Sequence, residues 1–169
     1  MSEYSFNWNR IGFRDREIAH DILGWLRQPD LIIAPDRLDP YLLRWHVIPR
    51  NRTANVYFHI QLKSDPDRPL HDHPWDNTSV ILAGGYNEII ALPNEEAKTV
   101  LRATGDCIHR RADTPHRLIL PEDVPYTMTL FTTGPHKRDW GFWATYGWES
   151  HTEFVSLEGN KSILTKEIK

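Results

Sequence analysis

The stretch HDHPWDN, from His71 to Asn77, sets two histidines one residue apart at the entrance of a segment with strand character. Residues two apart on an extended chain point to the same side, so both imidazoles face one way and Asp72 faces the other. Two imidazoles hold a metal weakly, and an HxH pair without further ligands is an ordinary polar strand face. His116 in RRADTPHRLIL is the best third ligand, because it opens a strongly alternating segment beyond a Gly-Asp turn. Three neutral imidazoles on one side of an ion leave open positions at which a substrate or dioxygen binds directly. Imidazole suits iron, zinc, copper and nickel alike, so ligand type by itself selects none of them.

Other polar residues are candidates for the same chemistry. In TANVYFHIQL, Tyr57, His59 and Gln61 share one strand face while Val56, Phe58, Ile60 and Leu62 share the other. If the polar face turns inward, Tyr57 and His59 line a pocket as catalytic groups; if the apolar face does, His59 meets water or a partner subunit. Asn77 shares parity with His73 and points into the same space as a supporting group or weak ligand. Asp76 has the wrong parity and reaches an ion only through a bulge. Arg44, Arg111 and Arg117 are candidate bidentate clamps for a carboxylate or phosphate substrate. Trp75, next to the histidine pair, is expected to exclude water and shape a binding pocket. Trp140, Phe142 and Tyr146 alternate with Trp143 and read as packing residues, and Cys107 reads as a buried small apolar residue. His109, His136 and His151 fall in surface or turn positions.

The elements that must position these residues are short. Twelve prolines and nine glycines punctuate the chain, and seven tryptophans, six tyrosines and six phenylalanines favour pleated, half-buried surfaces. Alternating runs occur at TANVYFHIQL, TSVILAG, GYNEIIAL, TVLRA, HRLIL, YTMTLFTT and DWGFWATYG, separated by turn signals such as DPDRP, PNEE and PEDVP. Many short strands at near-regular spacing predict an all-β antiparallel sandwich or barrel. One helix is expected ahead of them, at about Arg14 to Gln28, where Ile18, Ile22, Trp25 and Leu26 fall at helical spacing before Pro29.

With 169 residues, 40% hydrophobic and 25% charged, the chain suits one compact domain with a sizeable core. A formal net charge of -3 gives no sign of the basic surface a nucleic-acid binder carries. The single cysteine precludes an internal disulfide, and no window is apolar enough to span a membrane. With no apolar leader in MSEYSFNWNR, a soluble cytoplasmic protein is expected.

The histidines and glycines together resemble the two motifs of the cupins, which are small β-barrels. The first cupin motif is Gly, five residues, His-x-His, three or four residues, Glu, six residues, Gly; the second is Gly, five residues, Pro-x-Gly, two residues, His. Counted from His71 and His73, the Glu position falls on Asn77 or Thr78, and the closing glycine on Gly84 or Gly85. Counted from Gly105, the Pro-x-Gly positions fall on Arg111 and Asp113, and the last histidine on His116. The spacing agrees throughout. Several identities depart: Asp65 stands at the opening glycine, Leu120 at a closing asparagine, and the glutamate is missing.

The resemblance spans about Arg44 to Trp148 and implies a cupin-type double-stranded β-helix (jelly-roll) barrel over 44–150. A helical segment over 1–43 would pack on it, with a C-terminal extension over 151–169. It implies a divalent metal held by His71, His73 and His116. Cupins with three histidines and no carboxylate look like thiol dioxygenases and diketone-cleaving dioxygenases, which use ferrous iron. By that likeness the expected activity is an Fe(II)-dependent dioxygenase or hydroxylase acting on a small, anionic molecule, with Zn, Ni, Mn and Cu as the other ions to test. Were Asp76 to reach the ion, the set would be similar to oxygenases that also bind 2-oxoglutarate. A metal-dependent isomerase, epimerase or lyase and a non-catalytic small-molecule binder are the competing readings. Pairing of exposed barrel edges makes a homodimer the expected assembly.

Overall fold

The computed structural model describes residues 29–33, 40–91 and 96–157. The helix expected at Arg14 to Gln28 and the lysine-rich end lie outside these residues. Among the described residues the chain is nearly all strand: β1 Leu31–Ile33, β2 Leu42–His46, β3 Asn55–Gln61, β4 Leu70–His71, β5 Asn77–Ala83, β6 Gly85–Ile90, β7 Lys98–Ala103, β8 Cys107–Arg110, β9 His116–Ile119, β10 Thr127–Thr133, β11 Gly141–Ala144 and β12 Gly147–Ser150. A short helix, α1, follows at His151–Leu157. No helix among the described residues is long and apolar enough to cross a membrane.

The strands form two antiparallel six-stranded sheets, ordered β1-β2-β3-β10-β5-β8 and β12-β11-β4-β9-β6-β7. Chain neighbours alternate between the sheets at β3–β4–β5–β6 and at β8–β9–β10–β11, which is the winding of a jelly roll. The first sheet begins at Leu31, ahead of the expected start of the barrel at residue 44, because β1 pairs with β2 through Leu31 and Arg44, Ile32 and Leu43, and Ile33 and Leu42.

Two apolar clusters hold the layers. Ile81, Tyr86 and Ile108 are buried together, with Leu118 and Leu120 packed on them. These side chains come from both sheets and fill the space between them. The second cluster, Leu43, Trp45, Phe58, Ile60, Tyr126 and Met128, draws on alternate residues of the first sheet. On β3, therefore, both faces are buried: Phe58 and Ile60 join this cluster, while Tyr57, His59 and Gln61 face the other way and are also buried. The polar face of this strand is the one that looks into the barrel.

The glycines of the motif spacing have local reasons to be glycine. Gly84 adopts φ 75° in the tight β5–β6 connection, where a Cβ would sit 2.3 Å from the Tyr126 carbonyl oxygen. Gly105 adopts φ 97° in the β7–β8 turn, closed by bonds from the Gly105 amide to the Ile81 carbonyl and from the Asp106 amide to the Ala103 carbonyl. Cys107 is exposed rather than buried. It alternates with Ile108, and since Ile108 turns into the barrel, Cys107 turns out.

Candidate metal centre

His71 closes β4, where it lies between His116 of β9 and Phe142 of β11 in the sheet register. His73 is two residues on, in the link to β5, held by a backbone bond from its amide to the Ala112 carbonyl. The three imidazoles converge. Ring centroids are 5.3 Å apart for His71 and His73, 4.9 Å for His71 and His116, and 5.0 Å for His73 and His116. One ring nitrogen from each lies within 4.8 Å of the others. The Nε2 atoms of His73 and His116 approach to 2.8 Å.

The opposite edge of His116 decides which of its nitrogens faces the cluster. Its Nδ1 is 2.9 Å from Glu88 Oε1, and an ionised carboxylate only accepts, so the proton is assigned to Nδ1 and the Nε2 lone pair points at the other histidines. Glu88 is fully buried and is shared by two guanidiniums, with Arg102 Nε at 2.8 Å and Arg110 Nε at 2.6 Å. Arg110, itself buried, also donates to Ser79 Oγ and Tyr86 Oη, both at 3.1 Å. Burial pushes the Glu88 carboxyl up, but its bond to His116 and the charge and bond of Arg110 outweigh this and hold it far below the usual carboxylate range. Burial also pulls His116 down to about 4, against the bond to Glu88, and pulls His73 well below the ordinary histidine value. Both are neutral at pH 7, the state in which imidazole binds a metal.

Asp72 faces away from its two histidine neighbours, as strand alternation requires, yet it is not solvated. It is fully buried and accepts four bonds: the Gly141 amide at 2.8 Å on Oδ1, and Arg138 Nη1 at 2.8 Å, Trp143 Nε1 at 3.0 Å and Trp148 Nε1 at 2.9 Å on Oδ2. The segment carrying His71 and His73 is thereby fastened to β11 and β12, and the two rings are fixed from behind.

Aromatic rings wall the cluster. Trp75 stacks on His73 at 5.1 Å and 11° and meets Phe131 edge-on at 5.7 Å. Phe142 and Trp140 each lie 6.5 Å from His71, and Phe142 is backed by Phe154 of α1 at 4.3 Å. Phe131, 6.2 Å from His73, separates the cluster from a second group. There His59 stacks on Phe131 at 5.2 Å and accepts a bond from Arg44 Nε at 2.8 Å, while the Arg44 guanidinium lies 4.6 Å over Tyr57. Burial, then the charge of Arg44, lowers His59 well below the ordinary value, so it is neutral with Nε2 accepting. Tyr57, His59 and Arg44 thus face the barrel interior at one remove from the histidine cluster.

Several expected site residues are elsewhere. Asp76 accepts the Ala112 amide at 2.9 Å and pairs with Lys137 Nζ at 2.5 Å, and these partners keep its carboxyl low and its oxygens away from the cluster. Arg111 is exposed and pairs with Asp113. Arg117 alternates with His116 on β9, so it turns outward and donates to Asp67 and the Arg68 carbonyl. Neither arginine reaches the histidines. Asn77 is on the interior face and 2% exposed, yet neither of its amide atoms has a hydrogen-bond partner among the described residues. Glu88 and Arg110 are not among the expected residues, although each has a signal: Glu88 shares a face with Tyr86 and Ile90, and Arg110 with Ile108, so both are charges at apolar parity.

No protein-family model and no curated protein matches the sequence. Solved structures do match. HppE in its Fe(II) form, in complex with substrate, aligns at a TM-score of 0.50 with 17% identity over 63% of this chain and 56% of HppE. A mannose-6-phosphate isomerase-like protein of Ralstonia eutropha JMP134 aligns at 0.49 with 17% identity, over 62% of this chain and 89% of its own. A cupin superfamily protein of Desulfitobacterium hafniense DCB-2 aligns at 0.44 with 10% identity, over 56% and 77%. The chain spans just over half of HppE. At these identities the likeness is one of fold, and the fold is that of the cupins.

Proposed function

We propose that this chain is a metal-dependent enzyme, an Fe(II)-dependent dioxygenase or hydroxylase acting on a small anionic molecule. The observation that carries the reading is the convergence of His71, His73 and His116 with no carboxylate among them. The donor set fits a divalent ion: one nitrogen from each ring lies within 4.8 Å of the others, and the Glu88 bond to Nδ1 leaves the His116 lone pair directed toward them. Because Asp76 is engaged by Lys137 and Ala112, the three-histidine reading is favoured over the histidine-plus-carboxylate set that accompanies 2-oxoglutarate. HppE, of the same fold, holds Fe(II).

A ferrous ion held by the three histidines would supply Lewis acidity and a one-electron couple for work on dioxygen. The protein's own groups do the rest. Glu88 keeps the proton on His116 Nδ1, and Asp72 fixes the ring directions of His71 and His73 from behind. Trp75 and Phe131 cover the cluster and exclude water. Arg102 and Arg110 share the single carboxylate Glu88, and among the described residues Arg44 is paired with the neutral His59 and the Tyr57 ring. Around the cluster, then, positive charge exceeds negative among these residues, which favours a carboxylate or phosphate on the substrate, with Arg44 as its clamp.

Elemental analysis of tag-free protein, comparing wild type with His71→Ala and His116→Ala, tests the site. Near-stoichiometric iron lost in both variants supports it and leads to an oxygen-electrode screen of small thiols, diketones and 2-oxoglutarate. Product formed without oxygen uptake would turn the assignment toward isomerase or lyase chemistry at the same ion. A wild type that takes up no metal after anaerobic addition of ferrous iron would overturn it.

A further inference from the structure

Asn77 and Thr133 face each other across β5 and β10 in the sheet register. They share the face that carries Ser79 and Phe131, two residues along each strand, and therefore look into the barrel. Asn77 is 2% exposed and Thr133 4%. Among the described residues neither amide atom of Asn77 has a hydrogen-bond partner, and the Thr133 hydroxyl has none either. On the other side of Asn77 the register partner is Arg110, whose guanidinium is committed to Glu88, Ser79 and Tyr86. Three buried polar atoms side by side, with no partner among the described protein groups, cost stability unless a further molecule pairs them, and leucine and valine of similar size would remove that cost.

We infer that Asn77 and Thr133 form a ligand subsite inside the barrel, built for a group that both donates and accepts a hydrogen bond, an alcohol or a carboxamide. The amide of Asn77 sets the chemistry. Its oxygen only accepts, so the partner must donate; its nitrogen only donates, so the partner must also accept. A carboxylate would leave the oxygen unpaired, and an ammonium the nitrogen. The Thr133 hydroxyl adapts to either role. This rests on the proposal that the barrel interior is the substrate chamber, but not on which metal is bound. It describes a substrate with a hydroxyl or amide in addition to the anionic group met by Arg44.

The test is a titration of isotope-labelled protein, metal-free and zinc-loaded, with acetamide, ethanol and acetate in turn. It is read at the side-chain amide resonance of Asn77, assigned by its loss in Asn77→Leu. Saturable shifts with acetamide and ethanol, absent with acetate and weakened about tenfold in Thr133→Val, are expected. Shifts with acetate alone would overturn the chemical class, and no shift with any probe would overturn the subsite. Asn77→Leu and Thr133→Val are also expected to raise the melting temperature of the ligand-free protein and to leave metal content unchanged. A lower melting temperature, with a buried water seen bonded to both side chains in a crystal structure, would make the pair structural. Metal lost in Asn77→Leu would make Asn77 a ligand of the ion instead. Loss of the oxygenase reading would show in the metal analysis, whereas loss of this one shows in the titration.

Discussion

Replacing Glu88 by glutamine keeps the size of the side chain and removes the one negative charge behind His116. Glu88 accepts from Arg102, Arg110 and His116, and it is fully buried. A glutamine oxygen can still accept from one or two of these donors, but its NH2 group then faces another N–H. Arg102 is 23% exposed and can turn to water, whereas Arg110 is 2% exposed and cannot. The cost therefore falls on Arg110, an uncompensated buried cation, and breaking such a pair costs about 3–5 kcal/mol. For a domain of this size each kcal/mol moves the melting temperature by about 2–4 °C, so Glu88→Gln should melt roughly 6–20 °C lower. Loss of the carboxylate on His116 Nδ1 should weaken metal binding about 10–100-fold. Differential scanning calorimetry of metal-free protein and a competition titration with a chelator read the two effects separately. The double replacement Glu88→Leu with Arg110→Met removes both charges and should recover most of the lost stability while leaving metal binding weak. A Glu88→Gln protein that melts within about 2 °C of wild type would refute the argument, because Arg110 would then have found water or another partner.

Three further outcomes follow from the same geometry. Asp72→Asn should destabilise the protein by about 3 kcal/mol, since an amide cannot accept from all four donors; thermal unfolding measures the loss, and a change in tryptophan emission reports release of the Trp143 and Trp148 indoles. Asp76→Asn should retain its metal and lose less than about 1 kcal/mol of stability, because the Lys137 pair is partly exposed; metal loss in that variant would return Asp76 to the ligand set. Metal-free protein should lose stability as pH falls below the unfolded histidine value of about 6.5, because His116, held at about 4 when folded, stays neutral while the unfolded chain takes up the proton. That term amounts to roughly 2 kcal/mol by pH 5 in urea unfolding and is absent in His116→Asn.

The alternation of β3, β5, β6, β9 and β10 was legible because a strand writes its two faces into the chain at a period of two. So was the trio of histidines: the HxH pair fixes parity locally, and His116 begins the next alternating segment at a cupin distance. Periodicity separates two faces without saying which is inside. Tyr57, His59 and Gln61 turned out to line the interior, while Phe58 and Ile60, the apolar face, belong to a second buried cluster. Cys107 is exposed for the same reason, since its side depends on which way Ile108 turns.

The spacing of His71, His73 and His116, and the turns around Gly84 and Gly105, are properties of the sequence by itself. What tertiary structure decided is which charges serve that trio. Glu88 reaches His116 across 28 residues of chain and Arg110 across 22, while Asp72 meets Trp148 across 76, and such pairings exist only after the sheets have closed. Asp76 is the counterpart: three residues after His73, it would need only a bulge to reach the ion, but Lys137, 61 residues away, takes its carboxylate. A buried charge goes where a partner offsets its desolvation, and that partner is set by the fold and not by the neighbouring residues.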